Sequence, residues 1–571
     1  MRTEEEFSGW YNAAIERGTL TDKRYPIKGM NVWTGYGFAV MRRMDELMRS
    51  EMQRTAHQEV SFPLLIPETE FQKESQHIKG FEEEVYWVTH AGKNELDVRL
   101  CLRPTSEAAM YPIFALWIRS HADLPLRTFQ IVSTFRYDTK QTRAFMRVRE
   151  IHFFEAHTCH ADYADAERQV RQDLEVMDRL GHWFAVPYLV NKRPEWDKFP
   201  GAHYSLACDG VMPTGRTLQV GTIHHYKDNF AKAYDVKYET TLEDYAAEVF
   251  RREGYAVTRP GGPKPGVDIV LARGDERVRV EVKDKVVGPT DLRELLGELE
   301  GSGKEEGTTL LLAQGVTDSA RALLHASNVQ SCTVADLDAR ARAVGLPEFA
   351  RHTYVHQTTY GMSERLLGAV VALHGDEKGF TLPPMIAPIQ IVIVPILAKG
   401  DQARIEREAK ALADELGRDL RVHLDARDRR PGEKFYEWEA KGVPVRVELG
   451  PRDLDQGVVT AVRRDTGAKA PIPRATLAAG LRALLDAVQA ALYERAQRQM
   501  SEATRRLENL EAAGEGVHTF PWCGTEPCAE KVEKATGLKI LGTPFEPTPQ
   551  AAPCLVCGEP AVAEARAART Y

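Results

Sequence analysis

A multidomain α/β fold is predicted by three observations: 571 residues with 43% hydrophobic content, helical and alternating apolar periodicities interleaved along the chain, and a break in composition near Thr240. At roughly 150 residues per domain this length suggests about four domains, each with enough apolar residues for a core. The architecture expected is an antiparallel sheet with helices, a small α/β insert, a second α/β domain and a cysteine-bearing α/β terminus. No apolar run approaches the roughly 18 residues of a membrane span; the longest, 389–397, is interrupted by Gln390 and Pro395. The acidic start MRTEEEFSGW lacks the apolar stretch of a secretion signal. Eight cysteines are too sparse for a disulfide framework, which points to the reducing cytoplasm. A net charge of −8 argues against coating nucleic acid, though not against a local basic groove.

Taken in order, Phe38, Met41, Met44, Leu47, Met48 and Met52 recur at helical spacing, so 37–54 is a long amphipathic helix leading into an extended run over 59–66. Residues 107–121 read as a helix, and 128–136 and 149–158 as strands joined by a charged loop, hence antiparallel β. Residues 241–350 hold 14 basic and 19 acidic side chains, −5 of the total −8. A helix over 242–253, a Gly/Pro loop over 260–266 and two strands around Gly274-Asp275 make this stretch an α/β insert. After 388 the strand IQIVIVPI, a helix and the strand RVHLD repeat a βαβ pattern, and a charged helical region over 476–513 leads to the cysteines. The expected boundaries are therefore 1–240, 241–350, 351–387, 388–495 and 496–571.

Three windows carry chemistry. In TFRYDTKQTRAFMRVREIHFFEAHT, residues 134–158, Arg136, Arg147 and Arg149 alternate with Asp138, Glu150 and Glu155. Guanidinium forks grip phosphates and carboxylates hold a metal or an amine, so the window suits a nucleotide with Mg²⁺. His157, Cys159 and His160 make a poor metal set, because on a strand 160 points away from 157 and 159. Cys523-x4-Cys528 and Cys554-x2-Cys557 have the spacing of a closed, structural Zn²⁺ shell. Residues 421–469 bring Arg427, Arg429, Arg430, Lys434, Arg446, Arg452 and Arg464 beside Phe435, Tyr436 and Trp438, which as exposed groups would suit an unstacked RNA loop or, equally, an ordinary charged surface. GSGKEEG at 301–307 lacks the glycine and hydroxyl positions of a phosphate-binding P-loop.

These segments, with LRPTSE at 102–107, LQVGTIHH at 218–225, YGMSERLLGAVVALHGD at 360–376, DARDRRPGEKFYEWEAKGVPVRVELGPRD at 425–453 and a final Tyr571, resemble the class II aminoacyl-tRNA synthetases, and most closely the prolyl-tRNA synthetases of archaeal/eukaryotic type. The resemblance spans nearly everything outside 241–350. It implies a catalytic domain in two parts, 1–240 and 351–387, an anticodon-binding domain over 388–495, a zinc domain over 496–571, and a cytoplasmic homodimer joined through the 37–54 helix. It implies that L-proline and ATP yield prolyl-adenylate, whose prolyl group passes to tRNA(Pro). Arg136 would bridge the proline carboxylate and the α-phosphate, Arg147 would hold the triphosphate, and Arg365 would lie on the adenine or γ-phosphate. Gln219 would help hold Mg²⁺, and Asp138 and Thr222 would join the ATP site. Thr105 and Glu107 would accept the two N–H bonds of the proline amine, His224 would close the pocket and Phe199 would wall the ring. By residue chemistry Thr105 also suits a helix N-cap. Glu155 and His157 stay available in Phe153-Phe154-Glu155-Ala156-His157, a methanogen-like form of the family's aromatic-Gln-Glu-Gly-His. Arg427, Lys434, Trp438 and Arg446 would read the anticodon, and Tyr571 would approach the active site. Activation of threonine, glycine or histidine and a catalytically silent tRNA-binding paralogue are the rival readings.

The insert is outside that pattern. Asp268 followed by Arg-Val-Glu281-Val-Lys283 is similar to the D…ExK signature of restriction-endonuclease-like domains, which would place Mg²⁺ between Asp268 and Glu281 with Lys283 beside the attacking water. A half-buried strand with a charged face looks the same, and a net −5 is poor for gripping a phosphate backbone. A degenerate or accessory domain, or an editing domain, are the alternatives.

Overall fold

The computed structural model describes residues 3–75, 84–137, 142–260, 267–301, 307–547 and 551–571. The chain forms two units: one made of Met1–Phe114, Pro125–Asp235 and His356–Tyr571, the other of Ala115–Leu124 and Val236–Val355.

The first unit is organised by a seven-stranded sheet in the order Gln58–Glu59, Leu126–Phe135, Glu150–His160, His356–Ser363, Thr217–Lys227, Tyr204–Val211, Leu189–Lys192. Every pairing is antiparallel except that of the short first strand. Strand alternation divides its faces: on Glu150–His160, Phe154 and Ala156 join the apolar core while Phe153, Glu155 and His157 line a cavity. Tyr360 and Met362 likewise face the core, and Tyr360 reaches Met177 of the helix Tyr163–Trp183 packed on that side. The helix expected over 37–54 is Gly35–Arg54, capped by the Thr34 hydroxyl, which accepts from Gly37 N at 3.0 Å. Two expectations change. The 107–121 helix ends at Trp117. The extended run over 59–66 splits: Gln58–Glu59 joins the large sheet and Leu65–Pro67 a separate three-stranded one, with Pro63, which has no N–H for a ladder, between them.

A second sheet in this unit runs Val422–Leu424, Ile391–Pro395, Val445–Leu449, Val458–Arg463, Lys469–Pro473, parallel at its first two pairings as the βαβ pattern requires. A four-stranded sheet, Thr504–Arg506, Val517–Trp522, Ala563–Ala568, Lys539–Gly542, closes the chain. Between them the helix Leu477–Ala503 runs through the boundary expected at 495/496. With its leading turn, Arg474–Ala503, it is long and apolar enough to span a membrane by length and composition alone. Its apolar seam is used inside the protein: Leu477, Leu481 and Leu485 enter the second sheet's core, Val488 and Leu492 pack on Ala185, Ala496 joins the main core and Met500 meets Val211.

The second unit starts and ends a few residues outside 241–350 and includes Ala115–Leu124. Its sheet runs Ala256–Thr258, Ile269–Arg273, Glu276–Val287, Thr308–Val316, Val329–Thr333, antiparallel and then parallel. Leu310 and Leu312 face one core and Leu311 and Ala313 another, so both faces are covered.

Candidate active site

A cavity of about 480 Å³ opens on the polar face of the seven-stranded sheet. It brings together Thr105, Glu107, Arg136, Arg147, Glu155, His157, Phe199, Gln219, Thr222, His224 and Arg365. Asp138 lies outside the described residues.

Three backbone devices aim the arginines. Arg136 follows the strand Leu126–Phe135, its N–H pairs with the Arg149 carbonyl at 2.9 Å, and its Nε donates to the Pro104 carbonyl at 3.1 Å. Burial lowers its pKa, opposed by Glu107, Glu84 and Glu155. Arg143 and Arg147 close a tight turn with paired backbone bonds of 2.9 and 2.8 Å, in which Phe145 takes φ 62°. Arg365 begins the helix Arg365–Leu373 and its Nε donates to the Met146 carbonyl of that turn at 2.9 Å.

Glu107 accepts from both sides: the Thr105 hydroxyl binds Oε2, and the Tyr226 hydroxyl donates to Oε1 at 2.9 Å. Thr105 therefore spends its proton on Glu107, where an N-cap would accept from a backbone N–H, and its oxygen stays an acceptor. Beneath it, Glu155 and His157 are an ion pair: His157 Nε2 donates to Oε2 at 3.1 Å, while Ser106 and Gln130 Nε2 (2.9 Å) donate to Oε1. Burial raises the Glu155 pKa, but these donors outweigh it and leave the carboxyl low; burial lowers that of His157, and Glu155 and Glu107 outweigh it. Both side chains are almost fully buried, so they form a saturated floor. His224 bonds Ser205 through Nδ1 at 2.7 Å, and burial with the nearby His157 charge pushes it down to about 3. Its neutral ring stands 4.7 Å from that of Phe199.

Sequence reasoning missed Tyr226, Ser106, Gln130 and Arg193. Tyr226 was findable, because two residues beyond His224 on one strand is the same face. His157, Cys159 and His160 do not converge: Cys159 contacts Gln357 and His160 bonds Asp165 and Thr158.

Elsewhere the outcomes differ. The Sγ atoms of Cys523, Cys528, Cys554 and Cys557 all lie within 4.8 Å of one another, with Cys557 and Cys523 3.7 Å apart. Tetrahedral Zn–S bonds of about 2.3 Å place thiolates about 3.8 Å apart, so the set fits. Tyr571 reaches Thr214 (2.8 Å), and the Arg143 guanidinium lies 5.2 Å from its ring. The four residues expected to read the anticodon are tied up within the protein to different degrees. Trp438 and Lys434 are buried and bond Asp425, through Nε1 to Oδ2 at 2.8 Å and Nζ to the carbonyl at 2.9 Å. Arg446 is tied to Glu439 and Glu448. Arg427 is exposed but paired with Asp425 and Glu437. A buried carboxylate, Asp425, gathers Arg427, Lys434 and Trp438; the exposed groups in this window include Arg429, Arg430, Tyr436 and Arg452.

In the insert, Asp268 lies along the strand carrying Glu281, its N–H bonded to the Val280 carbonyl (2.9 Å) and its Oδ2 accepting from Val282 N (2.7 Å). Lys283 Nζ is 2.7 Å from Glu281 Oε1. Burial raises the Glu281 pKa, Lys283 opposes it and Asp268 adds to it.

Family models match this order. Residues 86–259 match the tRNA synthetase class II core domain (G, H, P, S and T), 390–484 an anticodon binding domain and 507–571 the prolyl-tRNA synthetase C-terminal domain. Residues 238–340 match a restriction endonuclease model. The proline–tRNA ligase of Pyrococcus horikoshii is 46% identical, covering 100% of this chain and 99% of that protein. That of Methanosarcina mazei is 40% identical over 99% and 97%. The solved structure of Giardia lamblia prolyl-tRNA synthetase in complex with prolyl-adenylate superposes with a TM-score of 0.76 at 30% identity, covering 100% of this chain and 99% of that one. With the same domain order and near-complete coverage on both sides, the chain belongs to the class II prolyl-tRNA synthetase family.

Proposed function

We propose that the chain condenses L-proline with ATP to prolyl-adenylate and pyrophosphate, then transfers the prolyl group to the terminal ribose hydroxyl of tRNA(Pro). The observation that carries this is one cavity holding both a Thr105–Glu107 acceptor pair and the guanidinium groups of Arg136, Arg147 and Arg365. The proline ammonium donates to Thr105 and Glu107, and the neutral His224 with Phe199 walls its ring without repelling it. Arg136 holds the attacking carboxylate in line with the α-phosphate and stabilises charge developing there. Arg147 and Arg365 hold the remainder of ATP, and the Gln219 carbonyl is a hard oxygen for the accompanying Mg²⁺. The four cysteines hold structural Zn²⁺, and Arg429, Arg430 and Arg452 with Tyr436 face the anticodon. The enzyme acts in the cytoplasm as a homodimer joined through Gly35–Arg54. ATP–pyrophosphate exchange across an amino-acid panel tests the core of this: exchange is expected with proline and not with threonine, glycine or histidine, and silence with proline refutes it.

The match of 238–340 favours a second reading for the insert, a divalent cation held by Asp268 and Glu281 at a phosphodiester, with Lys283 steadying the water. Mg²⁺-dependent cleavage that disappears in Lys283→Ala supports it; no cleavage of either DNA or RNA ends it.

A further inference from the structure

The terminal sheet is wired into the catalytic one. Lys192, at the end of the catalytic sheet's edge strand Leu189–Lys192, exchanges both backbone bonds with Thr543, at 2.7 and 3.1 Å. The preceding Gly542 has φ +128°, and a Cβ there would stand 2.1 Å from the Lys192 carbonyl, so the approach requires glycine. Arg193 turns from this seam into the cavity. Its Nη1 donates to the Leu541 carbonyl at 2.8 Å, and its Nη2 donates at 3.1 Å both to Asp209 Oδ1 and to Gln219 Oε1. Asp209 is buried and its other oxygen accepts from Asn191 Nδ2 at 2.7 Å; Asn191 Oδ1 in turn accepts from Arg566 of the terminal sheet at 3.1 Å. Gln219 is thereby fixed at both ends, since its Nε2 donates to Thr222 Oγ1 at 2.5 Å.

We propose that Arg193 is a positioning residue through which the C-terminal sheet sets the orientation of Gln219, so that ATP affinity depends on a contact made outside the catalytic domain. This rests on Gln219 serving the ATP side of the site. The two ends of a glutamine amide have nearly the same shape, but one carries lone pairs and the other two protons, and only the first accepts a cation. A charged donor on Oε1 and an acceptor at Nε2 select the productive end. Arginine suits the task because one planar fork meets three acceptors at once; a lysine ammonium on a flexible stem does not.

The test uses the full-length chain and proline-dependent ATP–pyrophosphate exchange, with KM for ATP, KM for proline and the Mg²⁺ midpoint read separately. Arg193→Gln raises KM for ATP about tenfold and shifts the Mg²⁺ midpoint upward while KM for proline stays within about twofold, as expected for a lost charged hydrogen bond on one ligand's side. Arg193→Lys falls between. Gly542→Ala, which forces the seam apart without touching the cavity, moves KM for ATP in the same direction. An unchanged KM for ATP in Arg193→Gln overturns the proposal, as does a proline KM that rises in parallel; an unchanged Gly542→Ala removes the C-terminal sheet from it. Should Arg193→Gln fail to fold, Arg193→Lys and Asp209→Asn give the same comparison. Failure of the functional reading is distinguishable, because the unsubstituted chain would then show no exchange with proline.

Discussion

Residues 134–158 and 425–453 look alike as text, each mixing arginines with carboxylates and aromatics, yet the folded chain uses them oppositely. In the first, the carboxylate at the centre, Glu155, is neutralised by His157 and by neutral donors, so Arg136 and Arg147 remain turned to the cavity. In the second, the neutral Trp438 indole meets only part of the demand of Asp425, and the Arg427 guanidinium is drawn onto both of its oxygens. Burial raises its pKa, but Arg427 and Trp438 hold the carboxyl well below the ordinary range, and Lys434 closes on its backbone. A buried carboxylate must find compensation, and whichever cations provide it are lost to ligands.

The largest effect that this contrast predicts is at Arg136. Arg136→Ala is expected to lower proline-dependent exchange by about 10³-fold or more, because charge developing at phosphorus loses its preorganised donor. The melting temperature should move little. An exchange rate within tenfold of the unsubstituted chain would place Arg136 with the structural arginines of the second window.

Next in size is Trp438→Ala. Its indole is buried against Val392 and Val394 and bonds Asp425, so truncation should cost about 3 kcal/mol of stability in denaturant unfolding. Any tRNA defect should follow the folded fraction. A stable variant that had lost tRNA would mean that Trp438 stacks on a base after all.

A third carboxylate sharpens the rule because its compensation, one amide donor and the Arg127 charge, does not offset its burial. Asp173 is buried with one neutral donor, Gln169 Nε2 at 2.9 Å, and burial pushes it up to about 7. The folded state thus holds a proton that the unfolded state releases near pH 4, so stability is lost as pH rises from about 4 to 7 and stays lost above. Asp173→Asn should match the parent at pH 4.5 and exceed it by about 2 kcal/mol at pH 8, read as denaturation midpoints. Equal stability at pH 8 would show that Asp173 has a compensating partner.

How much of this was legible follows from sequence distance. Strands Leu126–Phe135 and Glu150–His160 lie within two residues of their expected ends because alternation and charged flanks are local signals. The order of motifs located eleven of the residues that line the cavity, but not Arg193, nor which carboxylate would be saturated, since Ser106, Gln130 and Glu155 come from three separate segments. The burial of Lys434 and Trp438 was illegible for the same reason at shorter range: they sit nine and thirteen residues beyond Asp425, and only the turn into the helix Pro431–Ala440 brings them back. Arg193 had no signal at all, its Leu541 partner being a backbone carbonyl 348 residues away.

The smallest expected effect concerns Arg429, and it decides whether the second window touches RNA. Its side chain is 54% exposed and its one ion pair among the described residues, to Glu437, is long at 3.5 Å. It is free to meet a phosphate or a guanine in a way that Arg446 is not. Arg429→Ala should raise KM for tRNA about threefold at moderate salt and lower the salt slope of binding by about one. Exchange without tRNA and thermal stability should stay as they are. Arg446→Ala should do the reverse, costing stability by leaving Glu439 and Glu448 with only the more exposed Lys378 and Lys469 as partners, while leaving the salt slope intact. If instead Arg446→Ala changes the slope and Arg429→Ala does not, the inward-facing cations open on binding, and the distinction between the two windows holds only for the free protein.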